Sequence, residues 1–101
     1  MVEVKYLQQV LVDLAEAVEW YESCERDLGH RFEQEFFETA GRALACPEVF
    51  PRAKGSVRRV LMKHFPYAIH YRPSAGGIEV LLLWCCYRDP KKLAALLKQR
   101  A

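Results

Sequence analysis

The chain has 101 residues, enough for one small domain and too few for two. Just over half of them are hydrophobic and about a quarter are charged, which excludes a disordered tail, and the longest apolar run, Val80 to Cys86, falls far short of the roughly 20 residues that cross a membrane. The net charge of +2 conceals a strong polarity: residues 1–50 carry 4 Lys/Arg against 11 Asp/Glu, and residues 51–101 carry 11 against 2. An acidic first half and a basic second half point to a polyanionic or acidic partner.

In chain order, Val2 to Leu7 alternates apolar and polar residues and predicts a short opening strand. Leu7, Val10, Leu11, Leu14, Ala15, Val18 and Tyr21 then recur at spacings of three and four, the pattern of an amphipathic helix. Asp13, Glu16, Glu19 and Glu22 lie on or beside its wet face. Gly29 is the expected break. A second helix carries the stripe Phe32, Phe36, Ala40, Ala43 and Leu44 with Phe37 beside it, and Pro47 should stop it at Cys46. The two helices form a hairpin with a shared apolar face.

Cys46 to Ser56 reads as a loop, punctuated by two prolines and a glycine and carrying Arg52 and Lys54. Three strand-like runs follow. Val57 to Phe65 is the first, and Pro66 separates it from the second. In the second, Tyr67, Ile69 and Tyr71 share one face and Ala68, His70 and Arg72 the other. Ser74 to Gly77 closes a hairpin. Ile78 to Trp84 is almost wholly apolar after Glu79, as in a central strand covered on both faces, so Trp84 belongs to the core. Asp89 and Pro90 suit the N-cap and first position of a terminal helix bearing Leu93, Leu96 and Leu97. The fold class is thus α+β: a strand, a helical hairpin, a three-stranded antiparallel sheet and a short C-terminal helix.

No metal or cofactor is expected. Cys24, Cys46, Cys85 and Cys86 show no CxxC spacing, and adjacent Cys85 and Cys86 point to opposite faces of a strand, so reduced thiols in a soluble, cytoplasmic protein are the reading.

In this order, the segments DLAEAVEWYE (13–22), LGHRFEQEF (28–36), ALACPEVFPR (43–52), VRRVLMKHFPYAIHYR (57–72) and YRDP (87–90) resemble the RelE/ParE superfamily of bacterial toxin–antitoxin toxins, especially its ParE or plasmid-stabilisation branch. The resemblance spans most of the chain. It implies a compact toxin neutralised by a cognate antitoxin. RelE-type members cut messenger RNA on the ribosome, and ParE-type members poison DNA gyrase. A nuclease of the RelE pattern would place Lys63 and Arg88 on the sheet, use Arg52 and Lys54 to grip substrate, and add a tyrosine in the C-terminal segment to move a proton. The segment DPKKLAALLKQRA after Arg88 contains no Tyr or His, and Tyr87 precedes Arg88. His64 and His70 are secondary candidates for a general base. The expectation is therefore a ParE-like toxin that inhibits gyrase by docking, with an mRNA endonuclease or an inactive orphan homologue as alternatives. Arg58, Arg59, Lys63, Arg72, Tyr87, Arg88, Lys91 and Lys92 are the expected target- or partner-binding residues. The family further implies a homodimer or a toxin–antitoxin heterotetramer as plausible assemblies, and no membrane partner.

Overall fold

The apolar stripes of the two helices meet one face of a sheet, and the leucines of the terminal helix meet the other. A computed structural model describes residues 2–101. Its elements are β1 (Glu3–Tyr6), α1 (Gln8–Cys24), α2 (Leu28–Ala45), β2 (Arg52–Lys54), β3 (Val57–Leu61), β4 (Tyr67–Ser74), β5 (Gly77–Cys85) and α3 (Pro90–Arg100). The strands form one sheet in the order β1-β5-β4-β3-β2. The three predicted strands are its antiparallel centre. The opening strand adds to one edge, parallel to β5, and Arg52–Lys54 adds to the other.

The larger core lies between hairpin and sheet. Val10, Leu14 and Ala17 of α1 and Phe32, Phe36, Ala40 and Ala43 of α2 pack on Val60, Ile69, Tyr71, Ile78, Val80 and Leu83. A smaller core lies under α3, where Leu97, with Leu93 and Leu96, covers Val57, Leu81, Leu82 and Trp84. Both faces of β5 are thereby buried, which is why its run is continuously apolar. A register shift opposite His70 and Tyr71 inserts Leu81 as an extra residue in β5. The Leu81 carbonyl accepts a bond from Arg100 (3.1 Å), whose guanidinium also pairs with Asp13 of α1 at 2.7 Å. The last turn of α3 is tied to α1 by this contact.

Three sequence expectations change. The break between the helices falls at residues 25–27 and not at Gly29, and the left-handed residue there is Asp27, at φ 68°. Gly29 sits one residue inside α2, where a Cβ would meet the Val18 carbonyl oxygen at 2.5 Å; it permits close approach of the helices and does not end one. Glu22 of α1 accepts from the backbone N–H of Asp27 and Gly29, both at 3.0 Å, satisfying the start of α2. Secondly, part of the expected loop at 46–56 is the edge strand β2. Thirdly, β3 ends at Leu61. Residues 62–66 bend because the Tyr67 N–H donates to the Phe65 carbonyl at 2.8 Å and the Phe65 ring packs on Tyr21 and Phe32, both at 4.9 Å between centroids.

Tyr71 joins core to loop: its buried ring carries a hydroxyl that donates to the Pro47 carbonyl at 2.7 Å. Tyr71→Phe should lower stability by about 1–3 kcal/mol, because the carbonyl loses its partner. Urea unfolding of the two proteins measures the difference.

Candidate docking surface

Alternation along the strands decides which cations share a face. Arg59 is the register partner of His70, and His70 of Leu82, so Arg59 and His70 stand on the α3 side of the sheet. Arg58 partners Tyr71 and lies on the other side, where its Nη1 donates to the Phe50 carbonyl at 2.8 Å. Arg52 partners Arg58 and not Arg59, and so shares the Arg58 face. Consecutive arginines thus divide their labour: Arg58 secures the loop after α2, and Arg59 is left to solvent.

The first turn of α3 does not close over the sheet completely. A cavity of about 160 Å³ remains, lined by Arg59, His70, Trp84, Cys86, Arg88 and Leu93 among others. Arg88 follows the end of β5 in a turn, with its N–H donating to the Cys85 carbonyl at 3.1 Å. Its guanidinium lies over the Trp84 ring, 4.5 Å from the centroid. That stacking orients the group without consuming its hydrogen-bond donors. Arg88 also borders a shallower depression of about 130 Å³ beside α1, lined by Glu16, Trp20, Leu83 and Cys85. Trp20 is 63% exposed and Tyr87 84% exposed, and Leu61 is exposed at the end of β3. Lys91 and Lys92 are exposed in the first turn of α3, which Asp89 caps by accepting from the Lys91 N–H at 2.9 Å.

Of the expected binding residues, Arg59 and Arg88 converge on the cavity, and Tyr87, Lys91 and Lys92 follow in the adjoining turn and helix start. Tyr87 lies in a turn beyond β5, not on the strand. Arg72 is engaged elsewhere: its Nε and Nη2 both donate to Glu79 Oε1 (3.0 and 2.8 Å), and its Nη1 to the Ala101 carbonyl at 3.3 Å. Lys63 occupies the bend after β3, exposed and absent from the cavity lining. Lys54 lies with Arg72 and Lys98 around a separate hollow near the end of α3. His64 also stands in the bend, where its N–H donates to Glu35 Oε2 at 2.9 Å and its Nδ1 contacts Glu35 Oε1.

The wall of the cavity includes a group whose weight the sequence understates. His70 is 1% exposed, and neither ring nitrogen has a partner among the described residues. Burial, aided by the Arg59 charge, pushes its pKa down from the ordinary 6.5 to about 4. The imidazole is therefore neutral near pH 7 and a weak base. Its linkage to stability has a definite sign. Between pH 6.5 and 4 the unfolded chain takes up a proton that the folded chain refuses, so stability falls as the pH falls through that window. The loss should reach about 2–3 kcal/mol near pH 4.5. It should be absent from His70→Leu, as read from urea unfolding of both proteins at pH 7 and pH 4.5.

Chemically, the surface offers two guanidinium groups, two lysines, exposed aromatics and a neutral imidazole. It can hold an anion or a carboxylate-bearing protein segment. Among the described residues no group of three or more His, Cys, Asp or Glu side chains is placed to hold a metal ion, and the four cysteines are free. No described helix is long and apolar enough to cross a membrane.

This α+β architecture has a counterpart among solved structures. A solved chain from the chromosomal ParDE toxin–antitoxin system of P. aeruginosa superposes with a TM-score of 0.72, covering 82% of this chain and 94% of its own length at 16% identity. At that identity the likeness is one of fold. No family model matches the chain, and no curated protein does.

Proposed function

We propose that this chain is the toxin of a toxin–antitoxin pair, acting as ParE-like toxins do by docking on DNA gyrase, and held inactive by a cognate antitoxin. The observation that carries this reading is the fold shared with a chain of a ParDE system. The composition of the surface supports docking over cutting. Arginine and exposed aromatic side chains are the usual anchors of protein interfaces, and Arg59, Arg88, Tyr87 and Trp20 supply them around one end of the sheet. The proton-transfer groups that RNA cleavage requires are poorly supplied: His70 titrates near 4, and residues 88–101 contain no Tyr or His. The antitoxin is expected to carry an acidic or amphipathic segment that complements the basic second half of the chain.

One observation favours the second reading, a ribosome-dependent mRNA endonuclease: two unpaired guanidinium groups border one cavity, as phosphate binding requires. Induction of the gene with two parallel readouts separates the two. Gyrase inhibition should change plasmid supercoiling and leave translated messages intact in primer extension. Codon-positioned cuts with unchanged supercoiling would move the assignment to the nuclease. Normal growth on induction without the neighbouring gene would instead indicate an inactive homologue.

A further inference from the structure

β1 is an edge strand, and its outer side is unpaired. The Glu3 N–H donates to the Gly76 carbonyl at 2.8 Å and the Leu7 N–H to the Val80 carbonyl at 3.1 Å. In a parallel ladder alternate residues turn both backbone groups toward the neighbouring strand. Glu3, Lys5 and Leu7 therefore address β5, and Val4 and Tyr6 turn their N–H and C=O groups outward, where no further strand lies. The side chains alternate as well. Val4 and Tyr6 pack under the hairpin, while Glu3 and Lys5 are exposed on the opposite face. Among the described residues neither Glu3 nor Lys5 makes an ion pair. Two large apolar side chains at this edge are also uncovered: Val2 is 69% exposed, and Phe37, edge-on to Tyr6 at 5.9 Å, is 45% exposed.

We propose that this edge pairs with the same edge of a second copy of the chain, antiparallel about a two-fold axis through Val4. Three features select that occupant. The backbone parity is right, because Val4 opposite the partner's Val4 forms a doubly hydrogen-bonded pair from groups that are free in the monomer. The charges are self-complementary, since in this register Glu3 faces the partner's Lys5 and Lys5 faces the partner's Glu3. These are non-hydrogen-bonded pairs, the kind whose side chains approach more closely. Finally, the exposed Val2 falls opposite the partner's half-buried Tyr6 and is covered there, beside Phe37. A two-fold axis supplies all three at once, as an isologous interface does. The result is a ten-stranded sheet across two copies. The contact is short, so the dimer forms in a concentration-dependent manner.

Sedimentation equilibrium from about 1 μM to about 1 mM tests this. The expected result is a shift from the 11.7 kDa monomer toward twice that mass. Glu3→Lys and Lys5→Glu should each weaken the dimer about tenfold, because each sets like charges face to face at two symmetric positions. The double exchange Glu3→Lys with Lys5→Glu should restore it. Val4→Pro should abolish it with an unchanged circular dichroism spectrum, because the lost N–H has no partner in the monomer. A chain that stays monomeric throughout, or a double exchange as weak as the single ones, overturns the proposal. So does protection of the Val4 and Tyr6 amides by a different protein bound to a monomeric chain, which would assign the edge to that partner.

Discussion

Replacing Arg59 and Arg88 together by alanine should leave the fold intact and remove toxicity. Both guanidinium groups border the cavity at the end of the sheet, and neither makes an ion pair among the described residues. The scaffold does not depend on them for charge balance. Arg88 has more to lose, because its stacking on Trp84 presents a fixed set of donors to whatever docks there. Arginine anchors at protein interfaces cost about 2 kcal/mol or more when truncated, so Arg88→Ala alone should raise the half-inhibitory concentration about thirtyfold. Lys63→Ala and Arg52→Ala should have much smaller effects, since neither side chain lines the cavity. Growth on induction and titration of supercoiling inhibition, with circular dichroism as the control for folding, measure all four.

The second large effect is structural. Gly77 opens β5 at φ 150°, directly opposite Glu3 of β1. A Cβ there would overlap the Glu3 carbonyl oxygen, which is backbone and cannot turn aside as a side chain can. Gly77→Ala combines that overlap with a φ that residues bearing a side chain rarely adopt. It should displace β1 and cost about 3 kcal/mol, a fall in Tm of about 15 °C for a domain of this size. Gly41→Ala is the matched control: Gly41 lies within α2, and a Cβ there meets nothing within 4 Å. It should be neutral to slightly stabilising, because Ala is the better helix former. Thermal unfolding of both variants makes the comparison.

Elements with strong periodicity were legible in the sequence. The α2 stripe from Phe32 to Ala43, the apolar run of β5 and the Asp89-Pro90 start of α3 all stand where their patterns place them. The failures have physical causes. β2 consists of three exposed residues, Arg52, Ala53 and Lys54, with no buried face to leave an alternating signature. Its place is set by backbone pairing with β3, including the Arg59 N–H to Pro51 carbonyl bond at 2.9 Å. Lys63 seemed to continue β3 because the residues around it keep a loose alternation. What ends the strand is the packing of Phe65 into the hairpin, a contact between residues distant in sequence.

The site was legible in type and only partly in membership. A basic second half predicts a basic surface, but composition does not tell a solvated arginine from one bound to a carbonyl or carboxylate. Arg58 and Arg72 look like Arg59 and Arg88 in sequence; the structure commits the first two to Phe50 and Glu79 and leaves the others facing solvent. His70 shows the reverse. Its place on the face shared with Ala68 and Arg72 was predictable from alternation, but its burial depends on the β5 residues beside it and on the start of α3. The inserted Leu81, which leaves a carbonyl for Arg100, has no counterpart in the apolar pattern around it.

In the proposed function the end of the sheet is the surface that docks on gyrase. The most direct measurement is a supercoiling assay with purified gyrase, titrated with the wild-type chain and with the Arg59→Ala/Arg88→Ala variant. Inhibition or stabilised DNA cleavage is expected from the wild type, and none from the folded variant at the same concentrations. Full supercoiling in a large molar excess of folded wild-type chain would contradict it, as would a variant that inhibits as strongly as the wild type.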